Sequence, residues 1–87
     1  LSILINITRE GADGAVRRDM ETLEKIGAFA SYNPHVYEAS VRGARGVLRM
    51  HLLLKIPREQ WVHGELLAAL RALPPHYAIA VDPESLV

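Results

Sequence analysis

Cysteine is absent from the chain. Its absence excludes disulfides, thiolate nucleophiles and cysteine-based zinc sites, and leaves the redox compartment open. Charge of one sign is also missing. Ten basic and ten acidic residues cancel to a formal net charge of +0, so the chain lacks the global field of a nucleic-acid binder. No apolar run reaches the roughly 18 residues needed to span a membrane, and no signal peptide is visible. The first residue is Leu1 rather than Met, which reads as a piece of a longer protein or a trimmed chain. What is present is apolar content, 49% of 87 residues, enough for the core of one small domain.

The apolar residues fall in a definite rhythm. Period two, period 3.6, period two twice, period 3.6 and period two again read as βαββαβ. The first strand spans Leu1 to Arg9, with Ile3, Ile5 and Ile7 on one face. Glu10 to Gly14 reads as a turn, with Asp13 as helix N-cap. A helix follows from about Gly14 to Ile26, its stripe made by Val16, Met20, Leu23 and Ile26, and Gly27 is its expected stop. Ala28 to Pro34 is expected to be irregular, because Pro34 is incompatible with a central ladder position.

The second strand is expected at about Val36 to Arg42 and the third at Val47 to Ile56, joined by a tight Gly43–Gly46 turn. If Arg42 pairs with Val47, then Val41, Ala39 and Tyr37 meet Leu48, Met50 and Leu52. Ser40, Glu38 and Val36 then meet Arg49, His51 and Leu53 on the opposite face. Pro57 is expected to open the second helix, with Val62, Leu66, Ala69, Leu70 and Leu73 buried and Pro74-Pro75 ending it. The last strand is about His76 to Val81, with Tyr77, Ile79 and Val81 inward, and Asp82-Pro83 closes it.

Right-handed crossovers then give an antiparallel sheet of order 4-1-3-2, a ferredoxin-like α+β sandwich with two helices on one face. The helix-free face is expected to carry Leu4, Asn6, Val36, Glu38, Arg49, His51, Leu53, Lys55, Ala78 and Ala80. Leu4, Val36 and Leu53 would form a small apolar patch there. Such a face is covered by another domain or protomer, open to solvent, or a ligand surface.

Few residue sets carry chemistry. The four histidines, His35, His51, His63 and His76, show no metal-ligand spacing. His51 opposite Glu38 is a carboxylate-oriented histidine or a surface ion pair. Arg42-Gly43-Ala44-Arg45-Gly46 is a phosphate-holding loop or a solvated hairpin. Trp61 is an interface anchor or a residue packed on the sheet edge. The serines show no nucleophile elbow. An RNA-recognition surface needs stacking aromatics where this chain has Leu4, Asn6, Arg49, His51 and Leu53. The strand-to-helix segment Gly11-Ala12-Asp13-Gly14 is the best ligand site, because backbone N–H groups at a helix start favour anions.

The run Ile3-Leu4-Ile5-Asn6-Ile7, the turn ending at Gly14 and the helix closing at Lys25-Ile26-Gly27-Ala28 resemble an ACT domain. So does the run from Leu48 to Ile56, followed by a helix ending Leu70-Arg71-Ala72-Leu73. The resemblance covers nearly the whole chain and rests mostly on pattern. It implies a non-catalytic, cytoplasmic regulatory or oligomerisation module. Its expected ligand is an amino acid near Gly11, Ala12, Asp13 and Gly14, and its expected partner is a second copy or the parent chain through Leu4, Val36 and Leu53. The family's usual turn is Asp-x-Pro-Gly; this chain keeps the closing Gly14 and lacks the leading Asp and the Pro. That departure is similar to the ACT-like cytosolic tails of MgtC/SapB-type membrane proteins, the second expectation. A small ferredoxin-like enzyme using His51 and Glu38 is the third. No cofactor, metal or nucleic-acid partner and no membrane insertion by this segment is expected.

Overall fold

A computed structural model describes residues 2–39, 46–57, 59 and 64–82. The two most strongly alternating segments make the longest strands. β1 (Ser2–Ala12) and β3 (Val47–Pro57) pair antiparallel throughout, from Ser2 opposite Pro57 to Ala12 opposite Val47. β2 (His35–Ala39) flanks β3 and β4 (Tyr77–Asp82) flanks β1. The order β2-β3-β1-β4 is 4-1-3-2 read from the other edge. Helices α1 (Asp13–Glu24), α2 (Gly27–Ala30) and α3 (Gly64–Arg71) pack their apolar sides into one core with the sheet. The architecture is α+β, consistent with a ferredoxin-like sandwich.

The core follows from the alternation. Ile3, Ile5 and Ile7 of β1 and Leu48, Met50, Leu52, Leu54 and Ile56 of β3 are buried beneath Val16, Met20 and Leu23 of α1 and Leu66 and Leu70 of α3. Full burial of each such side chain contributes about 1.5–3 kcal/mol. Pro74-Pro75 lies just beyond α3, which ends at Arg71 as the proline pair demands.

Several boundaries differ from expectation. Glu10 to Ala12 is not a turn. β1 runs on through it, with Gly11 opposite Leu48 and Ala12 opposite Val47, because β3 is long enough to keep offering ladder partners. Asp13 is therefore the first helical residue rather than the N-cap. Ala12 holds the cap position with no side-chain hydrogen bond, and the Asp13 carboxylate instead accepts from Arg17 Nε at 2.9 Å. An acidic side chain in the first turn still complements the helix dipole. Hydrogen bonds to Asp13 and then Glu38 raise the Arg17 pKa above its ordinary value.

Gly27 does not stop α1. The helix tightens at Lys25, whose N–H donates to Thr22 O, and Gly27 begins α2 instead. The segment expected to be irregular thus holds a helical turn with Phe29 fully buried, followed by Asn33 at φ 51°, a left-handed position asparagine tolerates. Pro57 is the last residue of β3, opposite Ser2, and the segment expected to follow it as the start of the second helix lies mostly outside the described residues. The Arg42–Arg45 turn, Val41, Trp61 and Val62 lie outside the described residues.

The β2–β3 register is offset by one residue from expectation. Tyr37 lies opposite His51, Val36 opposite Leu52 and Glu38 opposite Met50. A one-residue offset exchanges the faces of β2. Val36 now packs against the core, and Tyr37, 38% exposed, stands on the helix-free face. Glu38 is tolerated on the helix side because β2 is an edge strand. Its carboxylate reaches Arg17 Nη2 of α1 at 2.6 Å, with both side chains about half exposed. The patch expected from Leu4, Val36 and Leu53 is therefore broken: Leu4 and Leu53 remain diagonal neighbours on the open face, and Val36 leaves it. Ile79 and Val81 do lie level with Ile7 and Ile5 on the helix side, yet stay 41% and 44% exposed.

Tyr77 starts β4 against the core. Burial pushes its phenol above the ordinary tyrosine pKa, and the nearby Asp19 carboxylate adds to the shift. The folded state then keeps its proton after the unfolded chain has lost it. Stability should be insensitive to this group below the unfolded value near 10 and fall as pH rises through it. Urea titrations of the wild type and Tyr77→Phe across that range check this; parallel pH profiles for the two proteins would contradict it.

Candidate functional site

The helix-free face is built from the even-numbered residues of β1 and β4 and the odd-numbered residues of β2 and β3. Cross-strand register sets them in rows. One row carries Tyr37, His51, Thr8 and Ala78, and its neighbours carry Ala39, Arg49 and Glu10, and His35, Leu53, Asn6 and Ala80.

His51 is the centre of this arrangement. Its Nδ1 lies 2.9 Å from Thr8 Oγ1 and 3.1 Å from Asn6 Oδ1. The Asn6 carbonyl oxygen can only accept, so it favours the tautomer with a proton on Nδ1. The Thr8 hydroxyl directs its own proton to the same Asn6 oxygen at 3.4 Å. In neutral His51 the Nε2 lone pair is then left to accept a hydrogen bond or bind a proton. The ring stacks on Tyr37 with centroids 5.0 Å apart, and Tyr37 stacks on His35 at 5.9 Å. The register thus replaces the expected His51–Glu38 pair by His51–Tyr37, and Glu38 lies on the other side of the sheet.

Beside His51, an open groove of about 430 Å³ is lined by Thr8, Glu10, Arg49, His51, His76 and Ala78. Arg49 Nε donates to Glu10 Oε1 at 2.9 Å, and Nη2 of the same guanidinium lies 2.7 Å from that oxygen in an ion pair. Both side chains are nearly half exposed. Glu10 Oε2 has no partner among the described residues. The groove therefore presents a carboxylate oxygen, a guanidinium and two imidazoles within one small volume. His76 borders it from the turn before β4, and its Nε2 is 4.0 Å from Asp19 Oδ2.

The four residues expected to hold a ligand sit beyond one end of this groove. Gly11 and Ala12 are ladder residues, and Asp13 and Gly14 are in the first turn of α1. Asp13 N–H donates to Gly46 O at 3.2 Å. Gly11 has a further constraint: a Cβ there would lie 2.8 Å from Arg9 Nη1, whose guanidinium is held by Asp19 through Nε at 3.0 Å. The sequence reading singled out His51 but missed Glu10, Arg49 and His76 as partners of one site. The signal was available in the register of β1 on β3, which sets Thr8 against His51 and Glu10 against Arg49. Among the described residues, no group of three or more His, Asp or Glu side chains is placed to hold a metal ion. No helix there is long and apolar enough to cross a membrane. The chain matches no family model, no curated protein and no solved structure.

Proposed function

We propose that this chain is a non-catalytic, ACT-like regulatory module that binds a small zwitterion, such as an amino acid, on its helix-free sheet face. The observation that supports this is the Glu10–Arg49 pair at the groove beside His51 and His76. A zwitterion carries an acid and an amine a few bonds apart. Arg49 has further N–H donors for a carboxylate, and Glu10 Oε2, which has no partner among the described residues, can accept from an ammonium. Thr8 and the two imidazoles add hydrogen-bonding groups that orient the ligand. This moves the binding region from the Gly11–Gly14 segment to Glu10 and its neighbours on β3. Regulation follows as a population shift: a ligand bridging β1 and β3 stabilises the conformation or assembly in which that groove is formed.

The test is a thermal-shift panel of amino acids followed by calorimetry. At least one amino acid should raise the melting temperature. Arg49→Ala should weaken its binding about tenfold or more, since a hydrogen bond to a charged group contributes roughly 1.5–3 kcal/mol. The same substitution should change stability by no more than about 1 kcal/mol, because the Arg49–Glu10 pair is a surface pair. If no amino acid shifts the melting temperature, or if Arg49→Ala leaves binding unchanged, the reading fails.

A further inference from the structure

A second concavity lies on the helix side of the sheet, away from the Glu10–Arg49 groove. It is an apolar groove of about 360 Å³ where the ends of α1 and α3 come together. Thr22, Leu23 and Ile26 line it from the last turn of α1 and just beyond, and Ala69, Ala72 and Leu73 from the last turn of α3 and just beyond. Pro74 and Tyr77 complete the lining. Apart from the Thr22 and Tyr77 hydroxyls, every lining side chain is hydrocarbon. The space is there because Ala69 and Ala72, three residues apart on one helical face, are too short to fill it. Its base is fixed, since Ile26, Ala69, Leu73 and Tyr77 also pack against the buried core.

We infer that this groove binds a small, neutral, flat aromatic molecule of two fused rings carrying an N–H donor. Size sets the first part. An apolar cavity of about 150 Å³ holds one benzene ring, so an open groove of about 360 Å³ takes two fused rings with their outer edge left in water. Hydrocarbon walls on a preformed base, with few polar groups to fix orientation, are what such ligands need. The Tyr77 ring adds an aromatic surface for edge or face contact. Charge sets the second part. Among the described residues, no basic side chain lines the groove to hold a carboxylate or phosphate, and no acidic one lines it to hold an ammonium. Either charged group would lose water there without gaining a partner. Hydrogen bonding sets the third part. Thr22 Oγ1 donates its proton to Arg18 O at 3.1 Å, so toward a ligand this oxygen can only accept. A ring N–H is the group that matches it. This inference stands apart from the zwitterion groove, since a zwitterion brings two charges that the apolar groove does not partner.

Indole is the probe. Titrated into the unmodified chain, it should shift the amide resonances of Thr22, Ile26, Ala69 and Ala72, with a Kd of about a millimolar or tighter. The amides of Thr8 and His51, on the other side of the sheet, should stay in place. Ala69→Leu keeps a strong helix former at that position and fills the space. It should weaken indole binding about tenfold or more with an unchanged far-ultraviolet spectrum. Thr22→Val removes the acceptor at nearly constant shape and should weaken indole about threefold or more. 1-Methylindole has no N–H to donate, so the same substitution should change its affinity less than about twofold. A substitution that acted only through packing would move both probes alike. The inference is overturned if indole leaves the groove amides unmoved up to its solubility limit, or if Ala69→Leu binds it as well as the unmodified chain. Equal losses of indole and 1-methylindole in Thr22→Val overturn it too. So do groove amides that shift with protein concentration alone, since the occupant is then a second copy. Each of these outcomes leaves the amino-acid panel and the Arg49→Ala result untouched, so the two ideas fail separately.

Discussion

Phe29→Ala lowers the unfolding free energy by about 3–5 kcal/mol, the usual cost of emptying a buried phenylalanine site. The side chain is fully buried, and it is the only buried residue of α2. A four-residue helix has no stability of its own, because nucleating a turn fixes several residues for one hydrogen bond. Phe29 is therefore what holds residues 27–30 against α1 and α3. A domain of this size has a total stability of about 4–13 kcal/mol, so the substitution removes a large share of it. Urea unfolding of the two proteins measures the loss. Amide exchange should also show α2 opening more readily than α1 in the variant. A loss below about 1 kcal/mol would mean that Phe29 does not sit in the core.

Phe29 also shows where the sequence stops being readable. β1 and β3 were legible because each alternates over most of its length, and a single dominant face leaves one way to bury it. α1 was legible through Val16, Met20 and Leu23 at helical spacing. α2 was not, since one turn is too short to display a period, and Pro34 drew attention to irregularity instead. Gly11 and Gly14 suggested a turn, but a glycine needs no bend when a neighbouring strand supplies partners, as β3 does for Gly11.

The register of β2 failed for a different reason. Val36 and Tyr37 are adjacent and both apolar, so either can be the inward residue. Choosing Tyr37 sent Glu38 outward to His51 and made an attractive pair. The fold prefers Val36 against Leu52 and leaves Glu38 to Arg17, a contact that sequence spacing could not reveal because it joins β2 to α1. The candidate site inherits that error. Half of its content, Thr8 against His51 and Glu10 against Arg49, depends on the long β1–β3 pairing. The other half, Tyr37 stacked on His51, depends on the register of the short edge strand. His76 enters only through the placement of β4.

Leu52→Ala carries the second large effect and tests that register. Leu52 is fully buried and sits in one row with Ile7 on β1 and Val36 on β2. Truncating it should cost about 2–5 kcal/mol, with the value set by how far the row can collapse into the space. The sharper measurement is a pair of double-mutant cycles. Leu52→Ala combined with Val36→Ala should depart from additivity by about 0.5 kcal/mol or more, since directly contacting residues couple. Leu52→Ala combined with Tyr37→Ala should be additive within about 0.3–0.5 kcal/mol, because Tyr37 lies across the sheet from Leu52. The offset register reverses both expectations: Tyr37 would couple to Leu52 and Val36 would not. Coupling energies that follow that reversed pattern would return Glu38 to His51 and restore the histidine–carboxylate pair as the centre of the open face. Coupling through Val36 instead keeps Tyr37 on His51. The imidazole is then oriented by Thr8 and Asn6 through Nδ1 and lines the groove beside Arg49 and Glu10.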